Sequence, residues 1–228
     1  MGNWLTLNEE ITACRACPRL VAWREEVAQV KRRAYLEWDY WGKPVPGFGD
    51  TAARLLIVGL APGAHGSNRT GRMFTGDSSG ASLYRALYET GFANQPDAVS
   101  RDDGLRLHGA FITAMGRCAP PQNKPTREEF DNCRPFLYRE WAMLSQIKVV
   151  VGLGHLAFDS CVRLLRAHGY TMPTPKFGHG VAYRLEHGDH GPIDLLGCYH
   201  PSRQNTQTGR LSQAMLDEVF TRAQALVG

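Results

Sequence analysis

Long apolar runs are missing from this sequence of 228 residues. Stretches such as Leu55–Val58 and Val149–Leu153 fall far short of the roughly 20 apolar residues that a membrane-spanning helix needs. That excludes a helical channel or transporter, and no membrane partner is expected. A cationic, apolar leader is missing too: Met1 to Glu10 contains two acids and no basic side chain, so a cytoplasmic protein is expected. Thiols stay reduced in that compartment, and the six cysteines are therefore not expected to form structural disulfides. The chain shows no repeat, no low-complexity segment and no linker. Its length suits one sizeable α/β domain rather than two, so residues 1–228 are read as a single domain, expected to act as a monomer.

Acidic side chains are scarce in three places. The segments Leu60–Asp77, Gly116–Arg127 and His200–Arg210 carry Arg69, Arg72, Arg117, Lys124, Arg127, Arg203 and Arg210, against Asp77 as their single acid. The whole chain has a net charge of only +4, so the excess is local. One such loop is unremarkable as a solvated surface, but three in agreement read as the footprint of a polyanion.

Helical spacing runs from Leu20 to Tyr35, with Val21, Val27, Val30 and Ala34 near one face and Pro18 fitting a first turn. Trp38 to Phe48 reads as a packed aromatic loop. Arg54–Gly59, Leu107–Met115, Val149–Leu153 and Ile193–Tyr199 read as buried strands, and Phe177–Leu185 as a hairpin or irregular strand. Helices are expected from Asp77 or Ser78 to Glu89, from the Thr126–Glu129 capping box onward, from His155 to His168 and from Ser212 to Leu226. Strands alternating with helices argue a parallel sheet covered on both faces. Ligands bind such sheets at the carboxyl ends of the strands. The three cationic loops follow strand ends, so they are expected to converge on one cleft.

The glycine-rich loop from Gly59 to Asp77 contains no lysine and matches neither phosphate-loop spacing. Its glycines still let backbone amides approach a ligand. Phe74 within it is either an anchor on the core or a platform for a planar ring. Asp77 is either a helix cap or a carboxylate that orients water, and the roles are compatible. His200 opens an eleven-residue loop with no apolar side chain except Pro201, and a polar loop at a strand end more often binds something. Cys14-x-x-Cys17 with Cys118 and Cys133 offers four soft ligands, suited to tetrahedral zinc or to an iron–sulfur cluster. Cys161 and Cys198 sit in apolar stretches and read as buried thiols.

Gly59-Leu-Ala-Pro-Gly63 with Arg72-Met-Phe-Thr-Gly-Asp77, the loop His200-Pro-Ser-Arg-Gln-Asn205 and the four cysteines together resemble the family 5, or B-type, uracil-DNA glycosylases. The resemblance runs from about Cys14 to Leu211. It implies a three-layer α/β/α sandwich around a four-stranded parallel sheet, with a [4Fe–4S] cluster on Cys14, Cys17, Cys118 and Cys133 tying on the N-terminal helix. It also implies flipping of uracil out of DNA, because the glycosidic bond is shielded in the stack. Asp77, His200 and Asn123 are then the catalytic candidates. Gly59, Ala61, Gly63, Phe74, Ala114 and Asn205 are the substrate-binding candidates, and Arg69, Arg72, Lys124, Arg203, Gln204 and Arg210 the DNA-contacting ones. Leu60, Ala61 and Ala114 stand where related families place polar residues. That shifts water activation toward Asp77 and implies a broader range, with hypoxanthine and damaged pyrimidines beside uracil. The rival readings are a non-enzymatic, metal-containing nucleic-acid-binding module and a nucleoside or nucleotide hydrolase.

Overall fold

The computed structural model describes residues 3–228; Met1 and Gly2, which belong to the expected leaderless start, lie outside the described residues. Four strands run parallel in the centre: β2 (Leu55–Gly59), β3 (Ala110–Ala114), β4 (Val149–Leu153) and β6 (Ile193–Cys198). All their residues are buried, as expected of strands covered on both faces. The sheet is wider than the four strands expected. β1 (Phe48–Gly49) pairs antiparallel with β3, and β5 (Ala182–Leu185) antiparallel with β6, giving six strands in the order β1-β3-β2-β4-β6-β5. β5 falls within Phe177–Leu185, read as a hairpin or irregular strand, whereas the two residues of β1 begin at the end of the aromatic loop and pair with a distant partner that local periodicity does not reveal.

Alternation along the strands sorts the core into two layers. Leu55, Ile57, Ile112, Val149 and Val151 face α4 (Ser78–Glu89) and α8 (Gln213–Val227), meeting Leu83, Leu87, Val219 and Phe220. Leu56, Val58, Phe111, Val150 and Leu195 face α5 (Arg127–Met143) and α6 (His155–Ala167), meeting Leu137, Trp141, Phe158 and Leu165. Two N-terminal helices, α1 (Trp4–Ala13) and α2 (Pro18–Val30), sit outside this sandwich. The second ends at Val30, short of the helix expected to Tyr35, and a single 3-10 turn follows at Arg33–Tyr35.

Local chemistry fixes the helix starts that matter. Asp77 caps α4 by accepting the Gly80 amide at 2.9 Å. Thr126 and Glu129 form both halves of the capping box that opens α5. Two short helices, α3 (Ser67–Thr70) and α7 (Arg203–Gln207), lie inside the loops read as irregular. The chain leaves β2 toward β3 on one side and later leaves β4 toward β6 on the other. A crevice therefore opens at the carboxyl ends of the central strands, where connections diverge.

Candidate active site

The crevice is a cleft of about 560 Å³, within the range of small-molecule sites. Loops after β2, β3 and β6 build it. The first contributes Ala61, Gly63, Phe74 and Asp77; the second, Asn123; the third, His200, Arg203 and Gln204. Eight sequence-predicted residues are thus brought to one site from three separate segments.

Phe74 is an anchor on the core beside β2, and its ring also borders the cleft. Its ring lies on Gly59, where an added Cβ would come within 2.7 Å of it, so Gly59 serves the site from beneath the ring. The Phe74 backbone is left-handed at φ 52, a conformation that costs a non-glycine residue about 1–3 kcal/mol and gathers at functional sites. The His200 ring packs beside the Phe74 ring, 5.8 Å from it centroid to centroid and tilted by 33°.

Asp77 is held from two sides. Its Oδ1 accepts the Gly80 amide, while a Cβ on Gly66 would lie 2.1 Å from Oδ2 and one on Gly63 2.9 Å from it. Only glycine lets the loop pass so close to the carboxylate. Burial pushes the Asp77 carboxyl above its ordinary value, against the pull of the Gly80 and Ser79 amides and the Arg69 charge. Burial also pushes His200 down from its ordinary 6.5 to about 4, so the imidazole is neutral at pH 7 and offers one N–H donor. The site therefore presents an aromatic face, a neutral donor and a carboxyl group to one cleft.

A family model for the uracil DNA glycosylase superfamily matches residues 46–224. The chain belongs to that superfamily. Within it, this glycosylase aligns over 228 residues at 53% identity with the type-5 uracil-DNA glycosylase of Mycobacterium leprae, covering all of this chain and 97% of that protein. It is 51% identical to the type-5 enzyme of Thermus thermophilus, over 96% of each chain. The type-5 enzyme of Pyrobaculum aerophilum is 45% identical, over 94% of this chain and 89% of that one. Membership in the type-5 family follows.

The glycosylase places several predicted residues elsewhere. Arg69 and Arg72 do not face a ligand: they are 3% and 4% exposed. The Arg69 guanidinium lies between the rings of Tyr35 and Trp38, 4.0 and 3.9 Å from their centroids, and bonds the carbonyls of His65 and Gly76. Arg72 is locked bidentate on Asp103 at 2.8 and 2.7 Å; against the upward push of burial, Arg72 with the amides of Leu105, Val99 and Ser100 lowers the Asp103 carboxyl to about 2. Both cations are internal struts of the glycine loop, so they are withdrawn from the DNA-contacting set. Arg117 is buried as well, and the exposed positive charge shrinks to Lys124, Arg127, Arg203 and Arg210.

Other residues act one step back from the cleft. Ala114 is buried in the core layer that contains Phe74 and does not line the cleft. Asn205 spends its side-chain amide on the His200 carbonyl at 2.8 Å, so it positions the histidine. Lys124 is exposed beside the lining residue Asn123, and Arg210 lies over the Tyr199 ring at 4.7 Å. Residues not singled out from the sequence also line the cleft: Met73, Ser78, Ser79, Pro120 and Gln122. Gln122 and Asn123 are consecutive left-handed residues, φ 53 and 56. The prolines at 120, 121 and 125 are the turn signal that marks this segment.

The four cysteines assigned to metal binding line one small cavity, together with Arg24 and Arg117. Cys14 and Cys17 precede α2, Cys118 follows β3 and Cys133 lies in α5. Among the described residues, no three His, Cys, Asp or Glu side chains gather tightly enough to hold a single metal ion. The arrangement thus offers four thiols around a shared space. Cys161 and Cys198 are buried in the two core layers, as read from their apolar surroundings. Among the described residues no helix is long and apolar enough to cross a membrane.

Proposed function

We propose that this chain hydrolyses the N-glycosidic bond of uracil in DNA to leave an abasic site, with Phe74, Asp77, His200 and Asn123 as its working residues. The observation that carries the reading is the meeting of Phe74, His200 and Asp77 in one cleft on a type-5 glycosylase fold. A base turned out of the duplex stacks on the Phe74 ring, and the cost of unstacking is offset by that contact. As the bond to C1′ lengthens, negative charge grows on the departing base and positive character on the sugar. His200, neutral and held by Asn205 through its carbonyl, donates its N–H to the base oxygen where that charge develops. Asp77, partly desolvated, orients water toward C1′ and balances the sugar's charge. Asn123 lines the mouth and contacts the base or the water. Lys124, Arg203, Gln204 and Arg210 contact the DNA backbone around it.

Leu60 and Ala61 themselves bring no polar side chain to the lining to read base edges. The proposed substrate range accordingly extends from uracil to hypoxanthine and damaged pyrimidines, and the enzyme acts as a cytoplasmic monomer. The four cysteines suit a [4Fe–4S] cluster: the thiols line a common cavity and are not gathered for one ion, and unpartnered buried N–H groups of Arg24 and Arg117 border them. When bound, the cluster supplies a covalent tie between the start of α2, the loop after β3 and α5.

A single-turnover assay on duplex oligonucleotides bearing uracil, hypoxanthine or normal bases, followed by alkaline cleavage, tests this. Strand breaks at uracil and hypoxanthine are expected. Breaks at uracil alone would overturn the broad range, and no breaks from a folded, DNA-binding sample would leave only the binding-module reading.

A further inference from the structure

Two arginines border the cysteine cavity, and neither belongs to the catalytic cleft. Arg24, on α2, is 2% exposed and Arg117, next to Cys118, is 1% exposed. Arg24 Nη1 donates to Cys118 Sγ at 2.9 Å and Nη2 to the Cys14 carbonyl at 3.3 Å. Its Nε finds no partner, and neither do Nε and Nη1 of Arg117. The carboxylates nearby do not account for these donors. Glu25 lies 3.7 Å from Arg24 but is taken by Arg15. Glu140 accepts Arg117 Nη2 at 2.6 Å and also the Thr113 hydroxyl at 2.6 Å. Arg117 thus has its charge paired with Glu140 but keeps two N–H donors to spare, whereas Arg24 is buried without a carboxylate of its own, a costly arrangement unless an anion sits beside it.

Position makes the same point. Cys118 and Cys133 are the buried pair of the four cysteines, while Cys14 and Cys17 are partly exposed. Arg24 bonds directly to the buried Cys118, and Arg117 precedes it in the chain. The Arg24 charge and the spare donors of Arg117 thus gather at the half of the cavity that water does not solvate. A [4Fe–4S] core on four thiolates is anionic overall, and hydrogen bonds to its sulfurs together with nearby charge set its potential.

We propose that Arg24 and Arg117 are cofactor-binding residues: Arg24 compensates the charge of the group held by Cys14, Cys17, Cys118 and Cys133 while donating to the Cys118 sulfur, and Arg117, its charge paired with Glu140, offers that group its spare N–H donors. The inference rests on the cluster reading above. Removing either cation makes added negative charge on the group less favourable, so its reduction potential falls and its iron is released more readily.

The test uses the intact protein and the variants Arg24→Gln, Arg24→Lys and Arg117→Met with Glu140→Gln. Iron and acid-labile sulfide are assayed first, then the rate of iron transfer to a chelator and the midpoint potential by spectroelectrochemical titration. The parent is expected to hold iron and sulfide. Arg24→Gln should release iron about 10–100-fold faster, the usual loss for a partner of a metal ligand, with a more negative potential, and Arg24→Lys should recover most of both. Parental release and potential in Arg24→Gln would overturn the role of Arg24, and faster release with a parental potential and no lysine rescue would reduce it to packing. If that variant does not fold, the paired substitution keeps the local net charge constant and removes only the spare donors of Arg117, so a smaller shift in the same direction is expected from the lost hydrogen bonds; unchanged values there overturn the proposal. A parent chain without iron and sulfide would overturn the cluster reading itself, a failure visible before any variant is made.

Discussion

Asp77 does two jobs with two oxygens. Oδ1 caps α4 through the Gly80 amide, and Oδ2 faces the glycine loop at Gly63 and Gly66. Asparagine caps a helix as well as aspartate does, so Asp77→Asn separates the roles. Single-turnover cleavage should fall by about 10²–10⁴-fold, the range for a positioned acid or base, while DNA affinity and melting temperature hold. Equal loss of cleavage and stability would make Asp77 a cap and nothing more. Because its carboxyl is raised by burial, cleavage that needs the carboxylate should fade as pH drops through a value above the ordinary 3.8, and a pH–rate profile of the parent reads this directly.

His200 carries a second residue-level expectation. Its alanine variant should lose about 2–4 kcal/mol of transition-state stabilisation, as when an oxyanion donor is removed, measured as single-turnover rate. Its depressed value has a stability consequence of definite sign. Between the ordinary 6.5 and about 4 the unfolded chain binds a proton that the folded chain does not, so stability falls as pH falls through that window. Denaturant unfolding of His200→Gln across the window should show a shallower acid slope than the parent; parallel slopes would mean the histidine titrates normally.

At the scale of elements, the glycine loop is the most sharply constrained. Gly66→Ala puts a methyl group 2.1 Å from the Asp77 carboxylate. The loop or the aspartate has to move, and we expect cleavage to drop at least about tenfold, because small misplacements of a catalytic group are costly. A fully active variant would show that Asp77 has room to spare. The elements that build this site are legible in the sequence to different degrees. Strands β2 and β4 announce themselves as continuous apolar runs, β6 as one interrupted by Asp194, and α4 and α5 by Asp77 and the Thr126 box. Helix α1 gives no such signal, since its buried contacts are only Leu7 and Ile11, too sparse for a periodic pattern. Helix α7 is hidden in a wholly polar loop, where Ser202 capping Asn205 is its one local cue. Arg69 and Arg72 illustrate the deeper limit. Their placement depends on Tyr35, Trp38 and Asp103, partners about 30 residues away along the chain, and a count of loop charges has no access to such pairing.

For the whole molecule, the withdrawal of Arg69, Arg72 and Arg117 from the surface leaves a smaller cationic face. Lys124, Arg203 and Arg210 remain exposed on two loops that frame the cleft. Replacing all three by alanine should weaken binding to undamaged duplex and flatten its salt dependence, by about 0.9 in the log–log slope for each phosphate no longer neutralised. Replacing Arg72 instead should lower the melting temperature and leave the slope of the folded fraction alone. An unchanged slope in the triple variant would move the DNA path away from these loops. The convergence of those loops is legible, because it follows from strand order and the ends at which loops begin. The sheet's full width is not, and that width has its own consequence. A four-stranded parallel sheet would end in two long rows of unpaired backbone groups. Here one margin closes on the two residues of β1 and the other on β5, which carries the ion-paired Arg184. Short or charged margins offer little template for another chain, so this enzyme should resist fibril-like self-association when warmed or concentrated.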